Sequence, residues 1–299
     1  MIDAHGLRRR AHLLAAIRRW FAANDYLEVP TPCVVPSPAL EEHLFALPAA
    51  GRWLRTSPEF ALKRVLAAGL ERIYELGPCW RDREHGPWHG TEFSMLEWYR
   101  VGASLDDLMD EVEDLVATTS RVADRPPPTW ERRTIRELFR EHAGLDPATA
   151  SARELSGGID ESWEDAFARR WVMDVEPKLQ GALFVTEWPA SQAALARCGV
   201  DADGWPIAHR FEAFIDGIEL ANAFWELTDP VELRRRFHAA NATRAVLGEA
   251  PHPIDEALIE AVAQMPDTSG IALGVDRLVA AMSGWSSIAP GRVPDPSTE

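Results

Sequence analysis

The stretch from Ser269 to Met282, SGIALGVDRLVAAM, constrains the fold more than any other part of the chain. Small residues at Gly270, Ala272 and Gly274 precede Val275-Asp276-Arg277, and an apolar run with helical spacing follows. The pattern predicts a glycine-punctuated strand-to-helix turn with Arg277 near the helix N-terminus. Backbone N–H groups and the helix dipole favour an anion there, and the planar guanidinium fork suits phosphate. A structural salt bridge is the other reading of a single arginine.

A second segment, CWRDREHGPWHGTEFSMLEWY from Cys79 to Tyr99, sets Arg81 ahead of a polar loop and an alternating strand. Alternate side chains of a strand share a face. Phe93, Met95, Glu97 and Tyr99 therefore line one side, and Ser94, Leu96 and Trp98 the other. A carboxylate among aromatics on a largely apolar face is costly without a partner. Either Glu97 sits in water at a strand edge, or a cationic ligand supplies the partner.

The third segment is HRFEAFIDGIELANAFWELTD, His209 to Asp229. Asp216-Gly217 between alternating apolar runs is a hairpin signal. A two-residue turn pairs Ile215 with Ile218 and Phe214 with Glu219, which puts Glu212 and Glu219 on one face. Two such carboxylates repel unless a cation lies between them, and magnesium completed by phosphate oxygens and water is a natural candidate. Solvated carboxylates on an outer face are the alternative. Asn222, Phe224 and Glu226 share a face among themselves, yet Asn222 is three residues from Glu219. Lining one site with both requires a β-bulge near Ala221.

The remainder of the chain reads as a frame for these pieces. Helices are expected over Leu7–Asn24, Phe60–Ala68, Leu105–Val122, Val231–Leu247 and Asp255–Gln264, and strands over Ile73–Trp80, Glu92–Arg100 and Leu183–Thr186. Pro126-Pro127-Pro128 marks a break, after which Arg132 to Lys178 reads as short helices. With 299 residues, 46% of them hydrophobic, the chain can bury a sizeable core. It has no apolar run long enough for a membrane span and no signal-peptide pattern, so no membrane partner is expected. Cys33, Cys79 and Cys198 are isolated, which fits a reduced cytoplasm. The net charge of −16 argues against broad nucleic-acid contact. Arg8-Arg9-Arg10 and Arg234-Arg235-Arg236 lie in helical patterns and read as solvated faces. His12, His142, His238 and His252 show no nucleophile or metal pattern.

Taken together, these segments resemble motifs 2 and 3 of class II aminoacyl-tRNA synthetases, and more closely the catalytic domain of lysyl-tRNA synthetases. Closer still is the group of free-standing lysyl-synthetase paralogues that modify elongation factor P. That likeness rests on Ser57-Pro58-Glu59, on PASQA within WPASQAALA from Trp188, on GIELAN from Gly217, and on an Ala-containing GIALGVDRL from Gly270. It covers about residues 7 to 285. The resemblance implies an α+β fold, a mostly antiparallel six- to seven-stranded sheet flanked by helices. The expected organisation is one catalytic domain over 1–285 with a helical insertion at about 126–178, and a disordered tail over 286–299. Its first helix begins near residue 7, which leaves no room for an anticodon-binding domain, so anticodon recognition is not expected.

The implied activity is that of an AMP-forming, ATP-dependent aminoacyl ligase. It would adenylate lysine or (R)-β-lysine and pass it to the ε-amine of a lysine on elongation factor P. A different acceptor (a carrier protein, a small amine or a tRNA) and a non-catalytic amino-acid- or nucleotide-binding paralogue are the alternatives. By resemblance, Arg81 would contact the α-phosphate and the substrate carboxylate, and Arg277 the γ-phosphate. Phe93 would stack on adenine, Glu84 would meet its amino group, and His89 would lie near the triphosphate. Glu212 and Glu219 would bind Mg2+. Glu59 would face a substrate amino group, while Glu97, Tyr99 and Glu226 would enclose the distal ammonium, with Asn222 and Phe224 completing the pocket. Ala272 stands where lysyl-tRNA synthetases carry Gly. Arg83, Ala223 and Trp225 also depart from the family pattern, and Pro87 and Trp88 stiffen the motif 2 loop. A homodimer formed through the segment from Asp25 to Pro30 is implied as well.

Overall fold

The computed structural model describes residues 2–41 and 44–294. In chain order its elements are α1 (Ala4–Ala23), β1 (Leu27–Glu28), β2 (Val34–Val35), β3 (Pro48–Ala49), β4 (Arg52–Leu54), α2 (Glu59–Ala67), β5 (Arg72–Trp80), β6 (Glu92–Val101) and α3 (Leu105–Val122). There follow β7 (Trp130–Thr134), α4 (Ile135–His142), α5 (Ala152–Ser156), α6 (Trp163–Arg170), β8 (Ala182–Pro189), β9 (Cys198–Val200), β10 (Pro206–Ile215) and β11 (Ile218–Trp225). The chain ends with α7 (Pro230–Val246), α8 (Glu256–Val262), β12 (Thr268–Gly274) and α9 (Val275–Ser283). It divides into two compact units, one of Met1–Pro127 with Glu226–Glu299, the other Pro128–Trp225.

In the first unit β5, β6 and β12 are antiparallel neighbours in that order, with β1 added parallel to β5. Strand β6 therefore has a partner on each side, and Glu97 lies on an interior strand. α1 starts where the Asp3 carboxylate accepts the backbone N–H of His5 and Gly6. Its buried stripe, Leu13, Ile17, Trp20 and Phe21, covers one face of the sheet. There Phe21 stacks on Tyr74 at 4.2 Å and meets Trp98 edge-on at 5.5 Å. Truncating a ring such as Phe21 to alanine costs about 3–5 kcal/mol. α3 opens with a reciprocal capping box between Ser104 and Asp107. It also presents Glu111 to the Tyr26 hydroxyl and the Trp98 indole N–H, both at 2.9 Å.

The second unit has β11, β10, β8 and β7 in that order, with β9 also on β10. All pairs are antiparallel except β7 with β8. Its core is aromatic: Phe139, Phe167, Trp171, Trp188 and Phe214 are buried together, with Phe139 stacked on Phe167 at 4.8 Å. Among the described residues, the strands linked to β6 number four in the first unit and those linked to β10 number five in the second, more than the six to seven expected. The surplus lies in two- and three-residue strands such as β1 and β9, too short to leave a periodic signature.

Three expectations meet the structure differently. Residues 132–178 do contain short helices, but Trp130–Thr134 is a parallel strand whose sequence, WERRT, carries no apolar alternation. Of the basic clusters, Arg8-Arg9-Arg10 is not simply a solvated face, whereas Arg234-Arg235-Arg236 makes surface ion pairs. Arg10 bonds the Asp276 carboxylate and donates to Ser94 Oγ at 2.7 Å, and Arg9 donates to the Ala123 carbonyl. Arg234 pairs with Glu256, and Arg235 and Arg236 both pair with Glu232. Within the segment expected to be a tail, Ala289–Gly291 forms a 3-10 turn, Ile288 is buried and its N–H donates to the Pro87 carbonyl. The last residues of that segment, 295–299, lie outside the described ones. Among the described residues no helix is long and apolar enough to cross a membrane.

Candidate active site

In the first unit, the side chains expected to bind an amino acid converge on one face of β6. Glu97 is 1% exposed. Its two oxygens accept from the Ser57 hydroxyl at 2.5 Å and the Tyr99 hydroxyl at 3.2 Å. Burial, reinforced by the charge of Glu59, pushes its carboxyl up to about 8. Burial and then the charge of Glu97 hold the Tyr99 phenol well above its usual range. Ala272 on β12 is the register partner of Glu97, and Gly270 that of Tyr99. A methyl group on Gly270 would run into the Tyr99 ring and the Glu226 carboxylate, so only glycine lets those two side chains close over the strand.

The first turn of α2 brings Glu59 to the same place. Ser57 Oγ accepts the Glu59 N–H at 2.9 Å, anchoring the start of the helix. Lys63, one turn later, is 2% exposed and inserts its ammonium between two carboxylates, at 2.6 Å from Glu59 and 2.7 Å from Glu226. Burial alone would lower this ammonium, but the charges of Glu226 and Glu59 outweigh it and keep Lys63 protonated. The resemblance assigned Glu59 and Glu226 to a substrate's amino groups. The protein supplies a cation to one oxygen of each, and Glu97 is left with hydroxyl partners.

Arg81, just past β5, places its guanidinium over the Phe93 ring at 5.1 Å and lies 3.6 Å from Glu84. Arg83, the departure from the family pattern, has a left-handed backbone at φ 64°. It turns to stack on Phe45 at 4.0 Å and pairs with Glu249 at 2.8 Å, so Glu84 rather than Arg83 accompanies Arg81. Arg277 lies in the first turn of α9. It donates to the Trp88 carbonyl at 3.2 Å and meets His89 Nε2 at 2.6 Å. The strand-to-helix turn and the motif 2 loop thus bring two expected phosphate-side residues into contact.

In the second unit the β10–β11 hairpin has the expected turn, with Asp216 and Gly217 both at positive φ, and pairs Ile215 with Ile218 and Phe214 with Glu219. The register then slips: Ala213 pairs with Ala221 and Glu212 with Asn222, which leaves Leu220 as the extra residue of a bulge. Glu212, Glu219 and Asn222 consequently share a face, as the sequence required. All three are half-buried, as is Phe224. Asn222 Oδ1 is a buried acceptor without a donor. Arg210, stacked over Trp188 at 4.7 Å and Phe224 at 5.5 Å, bonds the Glu212 carboxylate and the Gln192 carbonyl. Glu212 therefore has a cation of the protein's own, which the expectation of magnesium alone left out. Among the described residues no group of three His, Cys, Asp or Glu side chains is placed to hold a metal. Two carboxylates on one face fit magnesium bound by one or two protein groups and completed by phosphate oxygens. Trp225 packs on His209 at 5.2 Å and under Arg197 at 4.7 Å.

Lys63 and Arg210 were missed by sequence reasoning. Lys63 is four residues from Glu59, a spacing that ordinarily marks an exposed helix pair. The buried neighbours Phe60, Leu62 and Leu66 are the signal that this helix is covered at Lys63 as well.

The model of the class II tRNA synthetase family for Asp, Lys and Asn matches residues 4–290. The chain belongs to that family. Class II synthetases in general activate an amino acid with ATP and magnesium.

Proposed function

We propose that this protein is an AMP-forming ligase that adenylates lysine or (R)-β-lysine and transfers it to the ε-amine of a lysine on elongation factor P. The observation that carries the reading is Glu97, a carboxylate buried on an interior strand, bonded to two hydroxyls and pushed up to about 8 by burial and by the charge of Glu59. A substrate ammonium between Glu97 and Tyr99 would give the carboxylate a direct ionic partner. An uncharged analogue leaves the buried carboxylate unpaired, which is the strongest form of discrimination available to a binding site.

The substrate carboxylate oxygen attacks the α-phosphorus of ATP, and pyrophosphate leaves in line. Arg81 orients the carboxylate and the α-phosphate, while Arg277, with His89 beside it, takes the γ-phosphate. Phe93 supplies an aromatic face for adenine and Glu84 an acceptor for its amino group. Asn222 Oδ1, with Phe224 on the same strand face, would offer an acceptor to a substrate N–H, and Ala272 borders Glu97. Magnesium held by Glu212 and Glu219 would neutralise the triphosphate when bound. In the second half-reaction an acceptor amine attacks the acyl carbon, forming an amide and releasing AMP. Positioning and electrostatics carry the chemistry, with no covalent enzyme intermediate. A homodimer through the region of Asp25 to Pro30, in a cytoplasmic setting, completes the reading.

Amino-acid-dependent ATP–pyrophosphate exchange with lysine, both β-lysine enantiomers, ornithine and arginine tests the first half. Exchange with a lysine-like substrate is expected, and none with any of them overturns it. Incubating the charged enzyme with elongation factor P, tRNA or small amines then identifies the acceptor, by the aminoacyl mass gained.

A further inference from the structure

The stretch that follows α9 returns to the motif 2 loop between β5 and β6. It leaves the helix through Gly284, left-handed at φ 70°, and runs on to Arg292. Ile288 and Gly291 are buried, with Gly291 seated beside the Trp285 ring and Val279 of α9. Inside the loop, the Arg81 N–H donates to the Thr91 carbonyl at 2.8 Å and the His89 N–H to the Gly86 carbonyl at 3.4 Å. Three further carbonyls are engaged from outside it. Pro87 accepts from the Ile288 N–H at 2.9 Å, Trp88 from Arg277 Nε at 3.2 Å, and Glu92 from the Arg292 guanidinium. All three donors belong to the one stretch from Arg277 to Arg292.

Two glycines reflect the same packing. Neither Gly6 nor Gly90 is at positive φ, so their backbone does not call for glycine. A methyl group on Gly6 would run into the Pro290 carbonyl, and one on Gly90 into the Arg292 guanidinium. Gly6 lies in the first turn of α1, where alanine is the better helix former. The close approach of the returning stretch accounts for glycine there.

We propose that Trp285–Arg292 is a strap that fixes the motif 2 loop for ATP, and that Arg292 is a positioning residue for that substrate. The inference rests on the reading of this loop as nucleotide-binding. In that reading Phe93, next to Glu92, faces adenine, and His89, next to Gly90, lies near the triphosphate. Arg292 acts at one remove, through the Glu92 carbonyl and by filling the space beside Gly90. A loop held in its working shape before ATP arrives avoids part of the ordering cost of binding. The strap also ties the loop to the helix that carries Arg277, so the two phosphate-side elements keep one spacing.

The test compares Arg292→Ala and Gly6→Ala with the wild type. It reads amide hydrogen exchange of residues 83–91 without ligand, and KM for ATP and for lysine in pyrophosphate exchange. In Arg292→Ala the loop amides are expected to exchange faster and KM for ATP to rise about tenfold, the weight of one hydrogen bond from a charged group, with KM for lysine unchanged. On helix propensity alone Gly6→Ala would stabilise α1 and leave KM for ATP unmoved. By displacing Pro290 it is expected instead to repeat the Arg292→Ala pattern. Loop exchange unmoved in both variants overturns the strap. Faster loop exchange with KM for ATP unmoved makes the strap merely structural and overturns the positioning role, as does an equal rise in KM for lysine. Arg292→Ala decides where the two variants disagree, and if one does not fold the other decides. If no amino acid supports pyrophosphate exchange, adenylation falls and direct titration with ATP and magnesium replaces KM. Weaker binding by Arg292→Ala than by the wild type then upholds the inference, and equal binding, or none by either, overturns it.

Discussion

Ala272 on β12 stands directly opposite Glu97 on β6, so the methyl group of one strand borders the carboxylate of the next. Extra bulk at this position intrudes on the space that a ligand ammonium would enter in the proposed reading. Ala272→Val is expected to raise the KM for lysine ten- to hundredfold, the equivalent of the roughly 1–3 kcal/mol typical of overpacking. The KM for ATP, measured in the same exchange assay, stays near wild type.

Glu97 makes the ligand-free protein less stable as pH rises. Burial pushes its folded carboxyl up to about 8, against about 4.5 for an ordinary glutamate. Between those values the folded protein holds a proton that the unfolded chain has lost. Stability from this group is therefore full below about pH 4.5 and declines as pH rises through 8, by at most about 1.4 kcal/mol per pH unit. Glu97→Gln removes the dependence. At pH 8 it melts above the wild type in thermal unfolding while losing lysine-dependent exchange; a variant less stable than wild type at that pH contradicts the account.

Arg55 and Glu75 form an ion pair beneath the pocket at 2.6 Å, with Arg55 also donating to the Thr31 hydroxyl at 2.6 Å. Arg55 is 1% exposed. Glu75→Ala strands a buried guanidinium, and the expected cost is about 3–5 kcal/mol in denaturant unfolding. Replacing both residues with apolar ones of similar volume is expected to recover much of that loss, since the pair's own net contribution is small.

In the proposed reading Arg277 would serve phosphate, through a guanidinium that also touches His89. Arg277→Ala is expected to lower kcat/KM for ATP in exchange by about a hundredfold or more, the scale of losing one aimed donor at a developing charge. His89→Ala should cost less, because Arg277 keeps its second anchor at the Trp88 carbonyl. Equal losses in the two variants would show that His89 itself binds the triphosphate.

Much of this was legible in one sequence because the decisive signals are local. α3 runs from Leu105 to Val122, the limits its periodicity and capping residues set. The bulge was legible too: Glu219 and Asn222 can share a face only if a residue is looped out between them, and Leu220 is that residue. What was not legible depends on partners distant along the chain. Arg10 looks like part of a surface triplet until α1 is set against Asp276, far along the sequence. Lys63 looks like one half of a solvated helix pair until Glu226 closes on it. Strand β7 escaped because its charged sequence lacks the alternation by which strands are recognised.

The Leu220 bulge also limits how this hairpin can vary. Side chains on a strand alternate with period two, and the one looped-out residue is all that keeps Glu219 and Asn222 in phase. Deleting Leu220 would not shorten the site but turn it inside out, sending one of the two to the opposite side of the sheet. A substitution along this segment leaves the phase of its side chains intact, whereas a change in its length does not.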